Sequence, residues 1–122
     1  MEEREVKKVI KEWVKLNHPN WIIWSTWHFD IVSGPAKDRP TLAIECKGRT
    51  GLRSSFQRAV GQCLDYMAGR KWTIYMAIPD NYIYKDQLLR VLNYHNLPIG
   101  ILTISDQHKV SVLRQASRKN TG

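Results

Sequence analysis

Thr41-Leu42-Ala43-Ile44-Glu45-Cys46-Lys47 is a strand-length apolar run that ends on charged side chains. Successive side chains of a strand point to opposite faces, so Glu45 and Lys47 project together while Ile44 and Cys46 project the other way. A carboxylate and an ammonium group then share one patch of surface. Upstream, Asp30 stands alone in Phe29-Asp30-Ile31-Val32, and Ser33-Gly34-Pro35-Ala36-Lys37-Asp38-Arg39-Pro40 between the two runs is a loop by its Gly and Pro content. A hairpin across that loop places Asp30 beside Glu45. Two carboxylates on neighbouring strands offer hard oxygen ligands to Mg²⁺, with Lys47 next to whatever the metal binds.

Working outward, the segment from Glu2 to Leu16 carries Val6, Val9, Ile10, Trp13 and Val14 at amphipathic-helix spacing, with Asn17 and Pro19 as stop signals. A second Glu-x-Lys, Glu5-Val6-Lys7, falls inside this helix. Residues two apart on a helix do not face each other, so this copy is not expected to form a site. Trp21 to Trp27 and Phe29 to Val32 read as successive strands or one bent strand. Gly48-Arg49-Thr50-Gly51-Leu52-Arg53 is a basic loop leading to a helix whose buried stripe is Phe56, Ala59, Val60, Cys63, Leu64 and Met67. Trp72 to Ile78 is a strand, a helix begins at Asp80 or Asn81 and ends near Asn96-Leu97-Pro98, and Ile99 to Ile104 and Val110 to Leu113 are two further strands. A polar tail follows from about residue 115. The expected architecture is α/β, a central mixed β-sheet flanked by helices, with an αβββαβ core followed by a C-terminal helix and strands.

The 122 residues suit a single domain spanning 1–122. The start Met1-Glu2-Glu3-Arg4-Glu5 lacks the features of a signal peptide, and no apolar run is long enough to span a bilayer, so a cytoplasmic protein without membrane attachment is expected. A net charge of +8 with a sequence pI near 9.7 favours a polyanionic partner, nucleic acid first. Cys46 and Cys63 are too few for a zinc or disulfide framework and read as buried thiols. Trp21, Trp24 and Trp27 are more readily core or interface residues than base-stacking ones. His28, two residues before Asp30, would share its strand face, with a structural role favoured over one at a metal or phosphate.

Asp30, then Glu45-x-Lys47 on a strand, then a helix carrying Gln62-x-x-x-Tyr66 resembles the PD-(D/E)xK nuclease superfamily, nearest its small archaeal Holliday-junction resolvases and RecB-like nuclease domains. The likeness spans roughly residues 2 to 78, and Phe29-Asp30 stands where the family has Pro-Asp. It implies a restriction-endonuclease-like fold and a metal-dependent DNA endonuclease, with branched or junction DNA as a possible substrate. Asp30, Glu45 and the backbone carbonyl of Cys46 would hold Mg²⁺ or Mn²⁺, joined by Glu5 or Glu2 from the first helix. Lys47 would be the catalytic lysine, and Gln62 and Tyr66 would orient it or a phosphate. Arg49, Arg53, Ser55 and Arg58 are candidates for the phosphate backbone of DNA. The resemblance also implies a homodimer. The rival expectation is a non-catalytic nucleic-acid-binding module of the same fold.

Overall fold

The computed structural model describes residues 1–51, 53–67 and 72–117, and within the second stretch the side chains of Arg53, Ser54, Ser55 and Met67 lie outside the description. Val6, Ile10 and Val14 make the inner stripe of α1 (Glu3–Asn17) and are fully buried. The helix packs on one face of a six-stranded sheet. Its strands are β1 (Ile22–Trp24), β2 (Ile31–Gly34), β3 (Leu42–Cys46), β4 (Thr73–Pro79), β5 (Gly100–Ile104) and β6 (Val110–Arg114), arranged across the sheet in chain order. β1, β2 and β3 are antiparallel neighbours, β3, β4 and β5 run parallel, and β6 returns antiparallel to β5.

Parallel neighbours need crossovers, and these are α2 (Arg53–Met67) between β3 and β4 and α3 (Lys85–Tyr94) between β4 and β5. Side-chain alternation along β4 divides the core into two layers. Ile74, Met76 and Ile78 pack with Phe56, Ala59, Val60 and Cys63 of α2 and with Leu88 and Leu92 of α3, whereas Tyr75 and Ala77 face Val6, Ile10 and Val14 of α1. Both crossover helices therefore lie on the face opposite α1. The architecture is α/β, a mixed sheet between helices, and among the described residues no helix is long and apolar enough to cross a membrane.

Three boundaries differ from the sequence reading. α3 starts at Lys85 rather than at Asp80 or Asn81, because Tyr82 must first enter the core; its N–H donates to the Pro79 carbonyl and that of Lys85 to the Tyr82 carbonyl, making turns instead of a helix. The Trp21 to Trp27 run yields only the three-residue β1, and Ser25 to Asp30 turns back on itself. Trp27 is accordingly 99% exposed, so of the core and interface roles expected for it the core role fails.

The third difference concerns the C-terminus. Arg114 ends β6, and its guanidinium donates to Asn93 Oδ1 at 2.8 Å, to the Leu92 carbonyl at 3.1 Å and to the Ile99 carbonyl. It thus satisfies a carbonyl of the last turn of α3, where a cation also suits the helix dipole. After the helix ends at Tyr94, the positive φ of 49° at Asn96 lets the Leu97 N–H reach back to the Leu92 carbonyl at 2.9 Å. Beyond Arg114, Gln115 donates to the Tyr75 hydroxyl and Ser117 N–H to the Pro98 carbonyl, so the stretch through 117 is tied down. Arg114→Ala is expected to cost about 2 kcal/mol, since it leaves half-buried carbonyls without a charged donor. Urea denaturation of the variant measures this, and an unchanged midpoint would remove the clamp.

Candidate active site

Register builds the site. Ile31 pairs with Ile44 in the antiparallel β2–β3 ladder, so one step beyond it Asp30 lies opposite Glu45. Opposed residues of an antiparallel pair project to the same face. The two carboxyl groups are hydrogen-bonded to each other at the carboxyl end of β3, the end of a parallel strand at which open α/β sheets hold their ligands. Asp30 is fixed further by the Cys46 N–H, which donates to Oδ2 at 2.8 Å. A carboxylate substitutes here for the strand partner that the Cys46 amide would otherwise need.

Burial and the Asp30 charge push the Glu45 carboxyl up to about 9, against which the Lys47 ammonium works in the opposite direction. Burial also acts to raise Asp30, but hydrogen bonds from Glu45, the Cys46 amide and Lys7 outweigh it and hold this carboxyl below its ordinary range. The opposite shifts leave the pair holding one proton near neutral pH, on Glu45. Burial pushes Cys63 up to about 12 and Cys46 higher still, which leaves both thiols protonated and inert.

Lys7 is the residue that sequence reasoning set aside. Its Nζ lies 3.1 Å from Asp30 Oδ1 and 3.5 Å from Glu3 Oε2. The Glu5-Val6-Lys7 copy is no motif, as expected, yet its lysine enters the site singly from α1, together with Glu3 one turn earlier. The Glu3 charge is among those that raise Glu45. The i,i+4 pairing of Glu3 and Lys7 beside the Val6-Ile10-Val14 stripe was visible in the sequence; which strand end it meets was not.

Of the acidic residues expected from the first helix, Glu5 points elsewhere, with its carboxylate 3.8 Å from His108 Nε2. Glu2 precedes α1 and, with Met1, Glu3, Lys47, Gly48 and Arg49, lines a cavity of about 460 Å³ beside the site. Lys47 continues the β3 ladder by donating its N–H to the Ala77 carbonyl at 2.9 Å, which preserves the strand alternation one residue past the element. The Gln62 side-chain amide donates to the His28 carbonyl, and the Tyr66 ring packs on His28 and Phe29 with centroids 4.6 and 5.1 Å apart. Both α2 residues therefore brace the turn leading into Asp30. His28 lies in that turn and is exposed, so the shared strand face expected for it with Asp30 does not form.

Arg49 and Arg58 are exposed, while the side chains of Arg53 and Ser55 lie outside the described residues. The Arg49 loop is strapped to its surroundings: its N–H donates to the Met1 carbonyl at 2.8 Å and its carbonyl accepts from Ile83 N–H at 3.1 Å. Gly48 permits this approach, since a Cβ there would lie 2.7 Å from the backbone nitrogen of Glu3. Gly48→Ala is expected to lose about 1–3 kcal/mol by separating the strand end from the start of α1. Thermal melting tests it, and wild-type stability would show that the contact yields freely.

Hard carboxylate oxygens on Asp30 and Glu45 suit Mg²⁺ or Mn²⁺, and Mg²⁺ commonly takes only one or two protein carboxylates and keeps water for the rest. The donor set fits at that level. Among the described residues no group of three or more His, Cys, Asp and Glu side chains is arranged to hold a metal ion. Comparison with protein-family models, with curated proteins and with solved structures found no match.

Proposed function

We propose that this chain is a Mg²⁺- or Mn²⁺-dependent deoxyribonuclease of restriction-endonuclease-like fold that cuts DNA internally, with branched DNA among its substrates and a homodimer as its working form. The observation that carries the reading is the Asp30–Glu45 pair, opposed across β2 and β3, half-buried and bracketed by Lys7 and Lys47. A desolvated pair of carboxyls costs stability, which makes it a poor ornament and a useful ligand set.

Asp30 and Glu45 would hold the ion, with the Cys46 carbonyl within reach of the same end of β3. The ion, when bound, supplies charge neutralisation and an acidified water. Asp30 is held in place by the Cys46 amide, so its geometry is set before the ion arrives. Glu45 would have to lose its proton to serve as a ligand, which would couple metal affinity to pH. The Lys47 ammonium, on the same face as Glu45, stabilises the negative charge that grows on a phosphate during hydrolysis. Arg49 and Arg58 contact the phosphate backbone without reading bases.

A cleavage assay on single-stranded, duplex, flap and four-way-junction DNA tests the reading, run with Mg²⁺, Mn²⁺ or EDTA. Metal-dependent cutting that disappears in Lys47→Ala supports it. Salt-sensitive binding with no cutting in either metal overturns it in favour of a binding module.

A further inference from the structure

Of the five tryptophans, Trp13, Trp21, Trp24 and Trp72 are half-buried against the two core layers, and Trp27 alone stands free in solvent. Its backbone is nonetheless closely held. Thr26 N–H donates to the Phe29 carbonyl at 3.1 Å, and Thr26 Oγ1 accepts from the amides of His28 and Phe29 at 3.2 and 3.1 Å. Ser25 Oγ donates to the Asp30 carbonyl at 2.8 Å, Gln62 donates to the His28 carbonyl, and Phe29 is buried in the core. A fixed turn thus presents the largest apolar side chain in the repertoire to water, three residues ahead of Asp30.

The surroundings point to what would cover it. A groove of about 790 Å³ runs along the neighbouring α2 surface, lined by His28, Arg58, Gly61, Gln62, Asp65 and Tyr66. Exposed Arg58 and the imidazole of His28, tilted at 41° against the Tyr66 ring, set a cation beside aromatic rings, and Asp65 is the single acid of the lining. Aromatic faces interleaved with cations are how proteins take unpaired bases and the phosphates between them. The chain's net charge of +8 favours a polyanion over an acid-poor protein surface. Because the turn is already ordered, stacking on the indole carries little conformational cost.

We propose that Trp27 stacks on an unpaired or unstacked nucleobase and so directs the site to DNA that carries a single-stranded or distorted segment. This inference rests on the nucleic-acid reading above and names its substrate class. It takes up the base-stacking role that the sequence reading ranked below core or interface. The turn that carries Trp27 leads directly into Asp30, whose carbonyl accepts from Ser25 Oγ. Blunt duplex, whose bases are stacked on each other, has no face to offer the indole.

The test measures binding in an Asp30→Asn background, so that no substrate is consumed, by fluorescence anisotropy of a labelled single strand and of the blunt duplex of the same sequence. Trp27→Ala is expected to weaken binding of the single strand roughly tenfold and of the duplex by less than about twofold, with Trp27→Phe restoring most of the loss. A fluorescent adenine analogue in the single strand should be quenched by the parent and not by Trp27→Ala. Equal losses on both DNAs, or no loss on either, overturn the proposal, as does failure of the parent to bind DNA at all. Dissociation of an oligomer by Trp27→Ala without any effect on DNA would assign the indole to a protein interface instead and overturn it too. Trp27-dependent binding by a wild-type chain that never cuts DNA in Mg²⁺ would leave this inference standing and remove the hydrolytic one.

Discussion

Asp30→Asn is expected to reduce metal-dependent DNA cleavage by roughly 10³-fold or more while the chain remains folded. The amide keeps an oxygen for the Cys46 N–H and occupies nearly the same volume, so the β2–β3 hairpin should survive. What it removes is the charge on which an ion, the Lys7 ammonium and the Glu45 proton all depend. Single-turnover cleavage beside circular dichroism separates the two effects. Cutting at the wild-type rate by a folded Asp30→Asn protein would sink the assignment of the site. Loss of cutting with DNA binding retained would place the defect in chemistry, because the phosphate contacts proposed for Arg49 and Arg58 would not involve this carboxylate.

Glu45→Gln should make the metal-free protein more stable at pH 8 and leave it nearly unchanged at pH 5. The sign follows from the raised carboxyl. Glu45 holds its proton in the folded chain up to about pH 9, whereas the unfolded chain releases it near the ordinary value of 4.5. Between those values the native state binds the extra proton, so wild-type stability falls as pH rises, by at most about 1.4 kcal/mol per pH unit. Asp30, displaced downward, contributes the opposite slope only below the ordinary carboxylate range. Partial solvent access at Glu45 reduces the nominal effect to on the order of 2 kcal/mol at pH 8. Gln keeps a donor for Asp30 and carries no charge to desolvate. Urea melts in EDTA at the two pH values measure the difference, and parallel pH profiles for wild type and variant would show that no proton is shared. A residue whose neutralisation stabilises the fold while abolishing cleavage would be held for function at the expense of stability.

Much of this arrangement was legible from short-range pattern. The Val6-Ile10-Val14 stripe identified α1, alternation through Thr41 to Lys47 sent Ile44 and Cys46 into the core and left Glu45 on the other face, and the Gly- and Pro-containing loop gave the hairpin that opposes Asp30 to Glu45. These features depend on spacings of two to four residues and on one turn, which a sequence states directly. The boundary of α3 was misplaced because Asp80 and Asn81 are good helix-starting residues locally, but burial of Tyr82 decides the path of the backbone.

The amino-acid sequence by itself determined the α/β class, the order of helices and strands, and the Asp30, Glu45 and Lys47 trio, since each follows from periodicity along one segment or from a hairpin between adjacent ones. Only the tertiary structure decided that Lys7 and Glu3 join that trio, that Glu5 turns to His108, that Arg114 closes the end of α3, and that Trp27 stands exposed on a braced turn. Each of these depends on where one element docks against another distant in the chain. Docking is fixed by the sum of many apolar contacts, and no single residue's neighbours in sequence record it.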